Sequence, residues 1–358
     1  MIKKIIQANL ANKDLKAMLL YSPQNRYWFS HFPSSLGYIL VTPEENYLFV
    51  DGRYITAARE NKSLINIDKI VLLDNQTWRK IAQILASQNI NKLGFESDWV
   101  TYVTFENWTK LLPKQHLVPV NTEKWREVKS DWEVAQIQKA CDITDAVFQD
   151  VIKWVKPGIS EKDLARFVSD SFLKHGADKL SFDTIVASGQ NGSKPHAVPT
   201  NKLLENGDLV TLDMGCYANG YVSDQTRTFA LGNVTPELKK IYETVFEAQS
   251  LGISLLKAGQ NAGDVHRAVA NYISEAGYGE YFTHGLGHGM GIEIHEEPYE
   301  NASSQSILEP GMVVTVEPGI YIPGVGGVRI EDDFLITNTG SQRLTSSPRE
   351  LIIVKPQN

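Results

Sequence analysis

The chain has 358 residues, 42% apolar and 22% charged, with 35 basic against 42 acidic side chains and a formal net charge of −7. That is long enough for two ordinary domains with a sizeable core. The acidic balance argues against nucleic acid as a partner, because phosphate binding needs a dense basic surface. Two cysteines, Cys141 and Cys216, make no disulfide framework and read as small buried apolar residues. No apolar run is long enough to span a bilayer, and the start, MIKKIIQANLANKD, lacks the apolar segment of a signal peptide. A cytoplasmic protein with no membrane partner is expected.

In chain order, LKAMLLYS, GYILV, NYLFVDGRY and KIVLLD read as strands, TWRKIAQILASQ as a helix and KLGFES as another strand. This alternation predicts a smaller α/β domain over residues 1–124. In VDGRY, Asp51 and Arg53 read as a strand-end pairing. From residue 125 the pattern changes. Val134, Ile137, Cys141, Thr144, Phe148 and Val151 recur at the spacing of an amphipathic helix, with Ser130 or Asp131 as its cap and Pro157-Gly158 beyond its end. A second helix opens at Ser160, where Asp163 completes a capping box in place of the usual Glu. After residue 180, strand-like stretches such as DLVTLDMGCY, YVSDQTRTFAL, GMVVTVEPGIYI and VGGVRIEDDFLIT are separated by two helical ones. Hairpin turns without strict βαβ alternation predict an α+β domain around a curved antiparallel sheet, over residues 125–358.

The chemistry-bearing residues lie in this second domain. Asn219-Gly220 is a two-residue hairpin signal. With that turn, Ala218 pairs with Tyr221 and Asp213 with Thr226, so Asp213 and Asp224 become diagonal neighbours on one face. Two aspartates so placed repel, unless a cation lies between them or one is protonated. Glu317 closes another apolar run and Glu331 follows VRI. Between these pairs in sequence lies HGLGHGMGIEIHEEP, which threads Gly285, Gly287, Gly289 and Gly291 among His284, His288 and His295. Glycine there lets the backbone pass close to a bound group. Four carboxylates and one imidazole can balance two divalent cations, and such a pair of ions activates a bridging water for hydrolysis. The oxygen-rich set favours Mn²⁺ over structural zinc, and neither a CxxC pair nor an HExxH helix is present.

HGLGHGMGIEIHEEP, GMVVTVEPGIY, GVRIED and the LDMG and YVSDQTRT stretches resemble the creatinase/aminopeptidase superfamily with the pita-bread fold. Within it they are similar to the Xaa-Pro aminopeptidases and Xaa-Pro dipeptidases (prolidases). REVKSDWEVAQIQKACDITD resembles that family's domain-joining helix, and FDTIVASGQNGSKPHAVPT its histidine-bearing loop. The resemblance implies metal ligands at Asp213, Asp224, His288, Glu317 and Glu331. It implies that His196, His284 and His295 bind substrate, stabilise the developing oxyanion and help protonate the leaving nitrogen, and that Arg329 orients a ligating carboxylate. It further implies two divalent ions, Mn²⁺ first, with Co²⁺, Fe²⁺ or Zn²⁺ as alternatives. The substrates would be small peptides with proline at the second position, and the assembly a homodimer.

The bond before proline is a tertiary amide, so its pocket should be apolar. Tyr321 and Phe282 are the nearby aromatics, and the pocket itself is not legible. The short chain and stretches such as YFTHGLGHGMG and FDTIVASG resemble compact bacterial Xaa-Pro aminopeptidases, the reading preferred here over a dipeptidase. Creatinases lack the complete ligand set that is intact here, and methionine aminopeptidases usually lack so large a first domain. A non-enzymatic binding protein on the same fold would have lost ligands, and none is lost. His31, His116, His175 and His266 have no motif around them and are expected to be ordinary surface or core histidines.

Overall fold

A computed structural model describes residues 2–355 of the chain. It divides between Trp125 and Arg126 into two compact units. In the first, six strands form a mixed sheet in the order 69–72, 46–50, 37–41, 17–20, 92–96, 116–120. The strand Ala17–Leu20 is paired on both edges and buried on both faces, which accounts for its unbroken apolar run. Leu19, Leu40, Phe49, Ile81, Leu85 and Trp108 pack into one core cluster across this sheet. Burying a side chain of this size is worth roughly 1.5–3 kcal/mol.

Four helices of this unit, Ile2–Ala11, Pro23–Ser30, Ile55–Glu60 and Tyr102–Leu111, are not among the sequence expectations. The second is set by local chemistry. Ser22 accepts from the Asn25 amide, and Pro23 occupies a first-turn position where its missing N–H costs nothing. The Asp51–Arg53 pairing forms as an exposed ion pair, Arg53 Nη2 to Asp51 Oδ2 at 2.6 Å.

The second unit opens on the helix Asp131–Trp154, whose cap is Ser130, with Glu133 closing a full capping box. The next helix, Glu161–Lys174, carries the Ser160–Asp163 box at its start. Its strands pair antiparallel in two main sheets. One runs 353–354, 225–231, 209–214, 185–188, with a parallel pairing only at its 353–354 edge. The other runs 296–300, 287–289, 313–316, 332–336, 341–343. Helices and antiparallel strands are segregated rather than alternating, which makes this unit α+β. The Asn219-Gly220 hairpin keeps one register throughout: Ala218 faces Tyr221, Tyr217 faces Val222, Met214 faces Gln225 and Asp213 faces Thr226.

Candidate metal centre and substrate pocket

With that register, Asp213 and Asp224 turn to the same side as diagonal neighbours. The strand 287–289 brings His288 alongside 313–316, and the Glu317 amide donates to the Leu286 carbonyl at 2.8 Å. Glu331 is joined to the aspartate hairpin because its amide donates to the Thr226 carbonyl at 3.1 Å. Asp213, Asp224, His288, Glu317 and Glu331 thus line one cavity of about 440 Å³, with His196, His284, His295 and Arg329.

The glycines between the histidines serve strand packing more than approach to a ligand. A Cβ on Gly287 would lie 2.2 Å from the Thr315 carbonyl oxygen, and one on Gly289 would lie 2.3 Å from that of Glu297. Both positions are squeezed between neighbouring backbones, so the chain can reach the cavity only as glycine.

The His288 tautomer follows from its contacts. Nδ1 lies 3.0 Å from the Gly289 carbonyl, which can only accept, so the proton is on Nδ1. The Nε2 lone pair therefore faces Asp224 Oδ2 at 3.7 Å and Glu317 Oε1 at 3.5 Å. Burial, with His295 nearby, pushes this imidazole down to about 3, so it is neutral and these are not ion pairs. A lone pair aimed at carboxylate oxygens is repulsive unless a cation, or a proton on one carboxyl, stands between them. Donor atoms of Asp224, His288 and Glu331 all lie within 4.8 Å of one another, a spacing one ion can bridge.

The carboxylates carry the same message. Burial, then the neighbouring charges of Glu331 and Asp213, push Asp224 well above its ordinary range. Burial and Glu331 do the same for Glu317, and burial with Asp213 raises Glu331 to about 8. Asp213 Oδ1 is buried without a hydrogen-bond partner among the described residues. An orphaned oxygen and mutually repelling carboxyls fit a site built for divalent cations.

Further residues hold these groups in place. Arg329 Nη2 donates to Asp213 Oδ2 at 2.7 Å, and its Nε to Thr226 Oγ1 at 3.0 Å. Thr226 Oγ1 in turn donates to Glu331 Oε2 at 2.6 Å. The Asp224 amide donates to Asp333 Oδ2 at 3.1 Å, and Cys141 Sγ donates to the same oxygen at 3.3 Å.

The other histidines differ in what they have left to offer. His284 places Nδ1 2.7 Å from the Gly285 carbonyl, so its Nε2 accepts from the Tyr321 hydroxyl at 2.9 Å. Tyr321 accepts in its turn from Arg329 Nη1 at 3.0 Å. Both His284 nitrogens are therefore engaged, and burial with the Arg329 charge pushes the ring down to about 4. His295 stacks edge-on to His288 with ring centroids 4.3 Å apart; burial, then His196, lowers it. His196 is exposed at the cavity rim. His266, expected to be ordinary, accepts from the Leu286 amide through Nδ1 at 3.1 Å and so steadies the start of the His288 strand.

Sequence reasoning missed Thr226, Asp333 and the bridging role of Tyr321. Only Tyr321 carried a signal, as an aromatic between Glu317 and Arg329. The cavity also exposes the apolar side chains of Phe182, Ile185, Ile294 and Tyr299, which the sequence did not reveal as a pocket.

Two family models match the chain. Residues 135–338 match the model of metallopeptidase family M24, and residues 2–128 match the creatinase/prolidase N-terminal domain. The chain is 42% identical over 342 residues to an uncharacterized peptidase, YqhT, of Bacillus subtilis, covering 95% of this chain and 96% of that one. A solved structure of a Xaa-Pro dipeptidase from Bacillus anthracis superposes with a TM-score of 0.93 at 39% identity, covering 98% and 99% of the two chains. A Thermotoga maritima X-Pro aminopeptidase superposes with a TM-score of 0.90 at 29% identity, covering 95% and 98%. With the catalytic model spanning more than half of its length, the chain belongs to metallopeptidase family M24, a peptidase of pita-bread fold preceded by a creatinase/prolidase N-terminal domain.

Proposed function

We propose that the chain is a Xaa-Pro aminopeptidase in which Asp213, Asp224, His288, Glu317 and Glu331 hold two divalent ions, Mn²⁺ by preference. The observation that carries this is the neutral His288 nitrogen facing Asp224 and Glu317 at 3.7 and 3.5 Å in a set of four carboxyl groups, of which Asp213, Asp224 and Glu331 are buried and Glu317 is partly so. Bound divalent metal supplies an activated water and Lewis-acid polarisation of the scissile carbonyl. The remaining work falls to the chain's own groups. His295, held neutral by burial, offers an N–H to the carbonyl oxygen as negative charge develops there. Arg329 keeps Asp213 oriented, while Tyr321 and the Gly285 carbonyl lock the ring of His284. Phe182, Ile185, Ile294 and Tyr299 give an apolar lining suited to a proline ring, which carries no amide N–H to satisfy.

The preference for an aminopeptidase rests on charge. A dipeptidase must recognise a free carboxylate just beyond the cleaved bond. Among the described residues Arg329 is the one guanidinium lining the cavity, and Asp213, Tyr321 and the Pro195 carbonyl already engage it. Asp183 adds an exposed carboxylate to the lining, which suits a peptide's ammonium better than its carboxylate. Solved relatives of both specificities are similar in fold, so this charge pattern is what favours one over the other.

Calorimetric titration of metal-stripped protein with Mn²⁺ tests the metal assignment. Two ions per chain are expected, and a single ion in Glu331→Gln. Binding of one ion or none by the wild type would overturn it.

A further inference from the structure

Glu161 lies outside the cavity, yet it is fully buried and collects hydrogen bonds from residues far along the chain. Its Oε1 accepts from the Ser188 amide at 2.8 Å and from Ser188 Oγ at 2.7 Å. Its Oε2 accepts from the Thr200 amide at 2.9 Å and from Thr200 Oγ1 at 2.6 Å. Asn191 Nδ2 bridges the two oxygens at 3.1 and 3.2 Å. Burial opposes its charge, but the bonds from Thr200 and Ser188 outweigh burial and hold the carboxyl below its ordinary range.

These partners are the two ends of one loop. Ser188 closes the strand Ile185–Ser188, in which Ile185 lines the cavity and pairs with Asp213. Thr200 is where the loop returns to the helix start, with the Lys162 amide donating to its carbonyl at 3.1 Å. Between them stand His196 at the cavity rim and Pro195, whose carbonyl accepts from Arg329 Nη1 at 3.2 Å. The helix Glu161–Lys174 already has its Ser160–Asp163 capping box, so the Glu161 carboxylate is not needed as its cap.

We propose that Glu161 is a positioning residue for the reaction, clamping both ends of the 188–200 loop so that His196 is fixed at the substrate pocket. The proposal builds on the peptidase reading above. Gln at this position keeps one oxygen but sets an amide N–H₂ against the donors of the other loop end, releasing that end.

The test compares metal-loaded wild type, Glu161→Gln, His196→Ala and the double variant on a Xaa-Pro-Yaa tripeptide, with hydrogen exchange of amides 189–199 and metal content in parallel. The expected result has four parts: faster exchange confined to that loop, unchanged metal content, a kcat lower by about tenfold to a hundredfold, and under about twofold further loss when Glu161→Gln is added to His196→Ala. Losses that multiply in the double variant, or loop exchange equal to wild type, would overturn the proposal. Should Glu161→Gln fail to fold, Thr200→Val removes one of the clamping bonds and is judged by the same criteria. Should wild type cleave no Xaa-Pro peptide, the peptidase specificity fails on its own, and loop exchange alone decides whether Glu161 is the clamp.

Discussion

Replacing Tyr321 by Phe removes one oxygen atom and nothing else, which makes it a clean probe of how the site is braced. The hydroxyl donates to His284 Nε2 at 2.9 Å and accepts from Arg329 Nη1 at 3.0 Å. Burial pushes it up to about 12, so it stays a donor throughout the neutral range. Arg329 Nη1 keeps the Pro195 carbonyl as a partner, whereas His284 Nε2 loses its donor. An unsatisfied buried acceptor costs about 1–3 kcal/mol, and loss of one bond to a charged donor adds a similar amount. The ring stays buried, so the fold and metal content should be retained. If half of that cost, about 1–3 kcal/mol, falls on the orientation of Arg329 against Asp213, kcat/KM drops by about fivefold to a hundredfold. The assay is steady-state hydrolysis of a Xaa-Pro-Yaa tripeptide at saturating metal, with metal content measured on the same sample. A kcat/KM within about twofold of wild type would refute the reasoning, because the guanidinium would then hold its place without the bridge.

Asp224→Asn should abolish hydrolysis. Because it removes one of several mutually repelling buried carboxyls, the metal-free variant should melt no lower than metal-free wild type. Retained activity with added metal would sink the ligand assignment. His295→Ala should lower kcat by about 10²–10³-fold with metal content unchanged; a lost ion in elemental analysis would make His295 a ligand instead. Glu300 is fully buried, with neither carboxylate oxygen bonded among the described residues, and burial raises it to about 8. The unfolded chain gives up that proton near 4.5, so the native state loses stability as pH rises between the two values, bounded at about 5 kcal/mol. Glu300→Gln has no proton to lose, so its urea midpoint should gain on wild type from pH 5 to pH 8.5; a pH-independent difference would contradict this.

Local signals carried much of the architecture. Asn219-Gly220 specified a turn, and the two-residue period then placed Asp213 beside Asp224 without reference to the rest of the fold. Ser130 and Ser160 marked helix starts because capping is chemistry between residues three apart. What stayed hidden depends on contacts between distant segments. Thr226 matters because it meets Glu331 and Arg329, Asp333 because it meets the Asp224 amide, and Glu161 because it meets Ser188 and Thr200. Polar residues with such partners look in sequence like any others. The glycines of HGLGHGMG were legible as a constraint, but its cause lay in the carbonyls of Thr315 and Glu297 on adjoining strands. The helices Ile2–Ala11 and Tyr102–Leu111 both lack an acidic first turn, and only the second has a basic residue in its last, Lys110, so neither carries the full charge gradient that marks a helix in sequence.

The most direct measurement is hydrolysis by Mn²⁺-loaded protein of a Xaa-Pro-Yaa tripeptide beside a Xaa-Pro dipeptide, with a chelated control. The account predicts that the tripeptide is cut faster, with release of its first residue, and that chelation stops the reaction. Cleavage of the dipeptide alone would make the chain a prolidase, and activity that survived chelation would contradict the metal-dependent site on which the whole account rests.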